Sequence, residues 1–203
     1  MSLREAAKTE SLLPVQGFVL AGGRSSRMGQ DKAMLELGGR PLVALAVEKL
    51  KSFCAEVAIS GNREDLKAFA PVVAETRLLS GPAAGIEAAL ASARCSWALF
   101  IPVDVPLVPA ALLRAWVSDV LGQEEAKPSW LMSGETFQPT FCLLPKSCAD
   151  VWSRAVEGGD LRVLRLLAAV GAQPYPVRES SAELERWFMN VNTPEELERA
   201  RAY

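Results

Sequence analysis

The sequence predicts an α/β protein of three layers, a mostly parallel sheet with helices on both faces. Three observations predict it. Short apolar runs recur at 15–21, 56–60, 72–74 and 97–101; helical periodicities separate them; and the runs break off at glycine, proline, asparagine or an acidic residue. Alternation of strand and helix argues parallel pairing through crossovers, and apolar runs without a polar face argue burial on both sides.

The first strand carries Val15, Phe18, Val19, Leu20 and Ala21 and runs straight into a glycine-rich turn. Gly22 and Gly23 lack the Cβ atoms that would hold a ligand off the backbone, and their dihedral freedom lets successive amides face one anion. Arg24, Arg27 and Lys32 follow within nine residues, and Ser25 and Ser26 add hydroxyl donors. A triphosphate needs that much positive charge. Arginine offers a flat bidentate fork and lysine a mobile point charge, so the two can divide the gripping of phosphate. The stretch fits neither GxxxxGK[ST] nor GxGxxG.

Pro41 suits the first position of a helix, and Val43, Ala46, Val47, Leu50 and Cys54 recur at the spacing of a buried stripe. The strand over 56–60 ends in Ser60, Gly61 and Asn62, at the sheet edge where open α/β proteins collect ligands. The strand over 72–74 leads to Glu75 and to a loop of Ser80, Gly81 and Pro82. A helix of small residues, 83–93, then lies close to the sheet with Ile86 and Leu90 inward. The strand over 97–101 runs into Asp104, and a carboxylate at that edge suits Mg²⁺ bridging phosphates. A helix over 110–121 closes this half.

Beyond a polar loop at 122–128, strands over 130–132 and 137–144 read as an antiparallel pair, with Pro139 at an edge or a bulge. Helices over 147–156 and 161–168 follow, joined by Gly158 and Gly159; Arg162 and Arg165 share a helical spacing that reads as a solvated face. Near the end, Thr193, Pro194 and Glu196 spell a capping box. Asn190 and Asn192, on either side of Val191, point to one side of an extended segment.

Composition narrows the chemistry. At 203 residues the chain suits one domain, burying roughly 70 % of its unfolded surface. A net charge of -2 recommends neither nucleic acid nor an anionic membrane as partner. Residues 1–14 read as an extension without a signal-peptide core, and no run approaches the length of a membrane span, so the cytoplasm is the expected location. Cys54, Cys95, Cys142 and Cys148 form no CxxC pair and lie in apolar segments. There is no histidine. That excludes Ser-His-Asp and Cys-His catalysis and HExxH zinc sites. It also favours a nucleophile that needs no general base, such as a phosphomonoester, whose second pKa near about 6 leaves it largely a dianion at neutral pH.

The string LAGGRSSRMGQDKA at 20–33 resembles the signature LAGGxSxRMGxDKA of the MobA-like molybdenum cofactor guanylyltransferases. GPAAGI at 81–86, PVDVP at 102–106, QPTF at 138–141 and FMNVNTPEEL at 188–197 follow in order. The resemblance implies a Rossmann-like, nucleotide-diphospho-sugar transferase-like fold, with a nucleotide-binding half at 15–121 and an acceptor-binding half at 122–203. It implies transfer of GMP from GTP to Mo-molybdopterin with Mg²⁺, releasing pyrophosphate and giving the guanine dinucleotide cofactor.

Carried over by position, Leu20, Ala21, Gly22, Gly23, Ser60, Glu75 and Gly81 bind nucleotide. Lys32, Arg27 and Asp104 are catalytic; Lys32 and Asp104 also contact the nucleotide, Asp104 as the metal ligand as well. Gln138, Asn190 and Asn192 fall on the acceptor side. Ser60 stands where the family commonly has Asn, and Glu75 where it has Asp. Two alternatives stay open: another nucleotidyltransferase of the same fold, such as a cytidylyltransferase, which tends to read LAAG at this point, and a non-catalytic nucleotide-binding module that docks with molybdoenzyme chaperones. In either enzymatic reading, Lys32 and Asp104 are expected to face one another across a hollow the size of a triphosphate.

Overall fold

The computed structural model describes residues 11–22, 31–75 and 81–203. After β1 (Leu13–Leu20) come a small hairpin of β2 (Glu36–Leu37) and β3 (Arg40–Pro41), then α1 (Leu42–Lys51), β4 (Cys54–Ser60) and β5 (Val72–Val73). The chain continues through α2 (Gly81–Ser92), β6 (Trp97–Pro102), α3 (Ala110–Leu121), β7 (Ser129–Ser133) and β8 (Thr136–Pro145). It ends with α4 (Ala149–Glu157), α5 (Val163–Ala169), β9 (Gln173–Val177), α6 (Ser181–Trp187) and α7 (Pro194–Arg201).

Seven strands form one sheet in the order β5-β4-β1-β6-β8-β7-β9. The strands β5, β4, β1 and β6 are mutually parallel, and β8 enters antiparallel to β6. The chain therefore moves outward from β1 on one side and returns to build on the other. The crevice above the carboxyl ends of β1 and β6 is the topological switch point, where open sheets of this kind bind ligands.

Period-two alternation divides the core between the two faces. Val15 and Val19 of β1 and Leu99 and Ile101 of β6 join one apolar cluster with α1, α3 and α7. Phe18 and Leu20, with Ala98 and Phe100, join the other, under α2, α4 and α5. There Phe18 and Phe100 stack with centroids 5.4 Å apart. In α2 every residue from Ala83 to Leu90 is buried, so small side chains are what allow it to lie against the sheet while α4 covers its back. Trp152 of α4 donates its indole N–H to the Ala83 carbonyl at 2.9 Å, which fixes that packing. None of the described helices is long and apolar enough to cross a membrane.

Several boundaries differ from the sequence reading. Pro41 is the cap before α1 rather than its first residue. The first strand begins inside the expected extension, because Leu13 donates its amide to Phe53 at 2.7 Å. Pro139 is not at an edge, since β8 lies between β6 and β7; it occupies a bulge where Trp130 and Leu131 pair with Cys142 and Gln138. The hairpin β2–β3, the strand β9 and the helix α6 have no counterpart in the sequence reading. In QPYPV the prolines at 174 and 176 argue against a strand, but β9 is the outermost one, and alternate residues there turn their nitrogens to an open edge.

Candidate active site

A hollow of about 250 Å³ opens at the switch point. Its walls are Leu20, Ala21 and Gly22 leaving β1, Asp31, Lys32 and Ala33 in a short 3-10 turn, and Glu75 after β5. Pro82 and Gly85 of α2, Pro102 to Asp104 leaving β6, and Thr140 of β8 complete them. Of the residues singled out in the sequence, Leu20, Ala21, Gly22, Lys32, Glu75 and Asp104 are brought together here. Gly23 and Arg27 lie outside the described residues, as do Arg24, Ser25 and Ser26.

Lys32 and Asp104 are not separated by a triphosphate-sized gap: the ammonium lies 3.5 Å from Asp104 Oδ2. It also donates to Asn192 Oδ1. Asn192 reaches it from the far end of the chain because the capping box of α7 pins its backbone. Glu196 accepts from the amides of Asn192 at 2.6 Å and Thr193 at 3.1 Å, while Glu196 donates its own amide to Thr193 Oγ1 at 3.2 Å.

The segment from Val103 to Pro106, which carries Asp104, is held through its backbone at three points. Val103 donates to the Leu20 carbonyl at 3.2 Å, and Val191 donates to the Asp104 carbonyl at 2.8 Å. Lys49 of α1 donates its ammonium to the Pro106 carbonyl at 2.7 Å. Burial lowers the Lys49 pKa to about 8, as expected for a cation in apolar surroundings with a neutral partner.

Glu75 sits in a notch that two missing side chains create. A Cβ on Gly22 would lie 2.1 Å from its Oε1, and one on Gly85 would lie 3.2 Å from the same atom. Burial holds its carboxyl above the ordinary value. Its amide donates to Asn62 Oδ1 at 2.8 Å.

Other expected contacts are placed elsewhere. Ser60 is fully buried beneath the hollow, its hydroxyl donating to the Gly85 carbonyl at 2.9 Å. Gly81 opens α2 at a φ of +63°, and the wall glycine of GPAAGI is Gly85. Gln138 belongs to a second hollow of about 300 Å³, bounded by the β7–β8 hairpin and α6 and including Ser133, Thr136, Glu185 and Phe188. Asn190 is exposed and lines neither hollow. Arg165 faces Asp160 at 4.0 Å, and both side chains are solvent-accessible.

Sequence reasoning passed over Asp31, Gly85 and Thr140. Asp31 was legible as a cap, since its Oδ1 accepts from Ala33 N at 3.2 Å. Thr140 was not, because its position depends on the bulge in β8.

Among the described residues no cluster of three or more His, Cys, Asp or Glu is arranged to hold a metal. Of the three carboxylates that line the hollow, Asp31 is engaged by the Ala33 amide and Arg63 and Glu75 sits in its glycine notch, which leaves Asp104 as the hard carboxylate beside space for phosphate. That donor set fits Mg²⁺, which keeps waters and takes one or two carboxylates together with substrate phosphates.

Known proteins resemble this chain in sequence and in fold. A molybdenum cofactor guanylyltransferase of Pseudomonas aeruginosa is 34% identical over 196 residues, 94% of this chain and 96% of that one. Another from Vibrio atlanticus is 33% identical over 192 residues, 92% and 96% of the two chains. The crystal structure of molybdopterin-guanine dinucleotide biosynthesis protein A from Archaeoglobus fulgidus superposes with a TM-score of 0.73 at 23% identity, over 92% of this chain and 97% of that one. Residues 17–173 match the model of the MobA-like NTP transferase domain, and the chain belongs to that family.

Proposed function

We propose that this protein is a molybdenum cofactor guanylyltransferase, transferring GMP from GTP to the phosphate of Mo-molybdopterin. The observation that carries the reading is the meeting of Lys32 and Asp104 in one hollow at the switch point, 3.5 Å apart, in a chain whose relatives across nearly its whole length bear that name.

Bond making is simple in this reaction. An acceptor phosphate oxygen attacks the α-phosphorus of GTP, the bond from that phosphorus to the bridging oxygen breaks, and pyrophosphate leaves with the electron pair. No proton needs to be removed from a dianionic nucleophile, consistent with a chain that lacks histidine. The work left to the protein is positioning and charge neutralisation.

Lys32 supplies a mobile cation to the phosphates. Gly22 lets the backbone come close to them. Asp104 and the substrate's phosphates would together hold Mg²⁺, which supplies further neutralisation of the phosphate oxygens when bound. Glu75, an acceptor-only carboxylate when ionised, suits the adjacent N1–H and N2 amino donors of guanine. The half-buried notch strengthens such hydrogen bonds relative to water. In this reading the acceptor approaches from the side of Thr140 and the second hollow, which share β8.

The test is direct. Purified protein incubated with Mg²⁺, Mo-molybdopterin and, in parallel, GTP, CTP, ATP or UTP is analysed by mass for the dinucleotide. Guanine dinucleotide and pyrophosphate from GTP alone support the reading; the cytosine product, or nucleotide binding without pyrophosphate release, overturns it.

A further inference from the structure

Four consecutive residues, from the last of β4 onward, reach four different walls of the hollow, and none of them lines it. Ser60 bonds the Gly85 carbonyl of α2. Gly61 presses its backbone against the exit of β1, where a Cβ would lie 3.2 Å from the Ala21 carbonyl and 3.3 Å from the Gly22 nitrogen. Asn62 accepts from the amide of Glu75. Arg63 pairs with Asp31, the residue immediately before Lys32.

We propose that Arg63 is a positioning residue for Lys32, the outer arm of a Ser60-to-Arg63 turn that sets the lysine and the Glu75 carboxylate at a fixed distance across the hollow. Only the identity of the nucleotide rests on the guanylyltransferase reading. Arg63 acts on a single weak turn. Lys32 sits in a three-residue 3-10 segment, and hydrogen-bond geometry in such segments is poor. Asp31 steadies it with one carboxylate oxygen on the Ala33 amide and gives the other to Arg63.

Arg63 is fixed in turn by Asp65, which accepts from Nε at 2.8 Å and from the second terminal nitrogen at 2.5 Å. The planar fork thus holds one carboxylate bidentately while its remaining nitrogen holds Asp31. A lysine ammonium, a point charge on a flexible stem, cannot keep both geometries. Since the Arg63 side chain is one-third exposed, its ion pairs contribute little to overall stability. What they fix is the lateral placement of Lys32 beside Asp104.

The experiment is a double-mutant cycle read by calorimetric binding of GTP, CTP, ATP and UTP with Mg²⁺, without acceptor. Thermal unfolding of each variant is measured alongside. Arg63→Ala is expected to weaken the nucleotide that the wild type binds best by about 10- to 100-fold, the scale of one charge-assisted hydrogen bond misplaced, with melting almost unchanged. Arg63→Lys recovers only part of this. In a Lys32→Ala background, Arg63→Ala adds less than about twofold, because a residue acting through another is silent once that other is gone.

Wild-type affinity in Arg63→Ala, or the full loss repeated in the Lys32→Ala background, overturns the proposal. Preference for CTP would sink the guanylyl reading while leaving the cycle interpretable, and a wild type that binds none of the four sinks both.

Discussion

Gly22→Ala isolates the notch that holds Glu75. Gly22 lies outside the left-handed backbone region, so alanine there meets no intrinsic strain, and among the described residues the conflict is with the Glu75 carboxylate alone, its Oε1 2.1 Å from the new methyl. Real Cβ contacts essentially never fall below 3.0 Å, so the carboxylate must retreat by about 1 Å. It can do so cheaply, because it is the far end of a flexible side chain rather than backbone. The expected signature is therefore split: stability changes by less than about 1 kcal/mol, while nucleotide affinity falls by about 10- to 100-fold as the acceptor pair leaves its place.

Calorimetric titration with GTP and denaturant unfolding, on the same preparation, measure the two halves. Gly17→Ala is the control with the opposite signature. Its methyl would sit 3.0 Å from Leu50 Cδ1 and 3.1 Å from Cys54 Sγ in the packed core beneath α1. Overpacking there costs about 1–3 kcal/mol and leaves affinity alone. Wild-type GTP affinity in Gly22→Ala, or equal destabilisation by both substitutions, would refute the assignment of Glu75 to the nucleotide.

Three further outcomes are expected. Lys32→Ala and Asp104→Ala each lower turnover by about 10³ to 10⁵, the range of charge stabilisation in phosphoryl transfer, with the fold intact by circular dichroism; near-normal rates in either remove its role. Asn192→Ala lowers kcat about tenfold or more, since a hydrogen bond to a charged group is worth about 1.5–3 kcal/mol, and Glu196→Ala produces part of the same loss by releasing the segment that carries Asn192. Lys49→Met changes the pH dependence of stability. With the folded pKa lowered from 10.5 to about 8, the unfolded chain holds the extra proton between those values. Wild-type stability therefore rises with pH across that window relative to the variant, by up to about 3 kcal/mol; parallel urea-unfolding curves from pH 7.5 to 10 contradict it.

What the sequence made legible were residues whose roles follow from their own neighbours. The β1 run, the glycine at its end and the acid after β6 announce themselves because parallel strands stop at the edge where ligands bind, and the helix over Ala110–Leu121 is where periodicity put it. The capping box was equally local. What escaped were roles that depend on a partner far along the chain. Ser60 looks like an edge residue facing ligand, and only the tight seating of α2 over β4 turns its hydroxyl to Gly85 instead. The strand β9 hides behind two prolines whose cost vanishes at an outer edge. Gln138 is separated from the first hollow by the same bulge that brings Thr140 into it.

The contact between Lys32 and Asp104 bears on how the site works. An ammonium has three donors, and two of them are directed here at Asp104 and Asn192. On the proposed function, phosphate arriving in the hollow would compete for the same cation, and Asp104 is the partner with other employment, as the carboxylate suited to the metal. Asn192 carries no charge and has no such alternative, so it can keep its hold while the ionic partner changes from carboxylate to phosphate. The exchange replaces one anion with another at the same lysine, and the cation is never left alone in a half-buried place, where an unpaired charge is costly. That explains why an asparagine, rather than a second aspartate, suits the end of the extended segment: another carboxylate would hold Lys32 against the substrate it has to release toward.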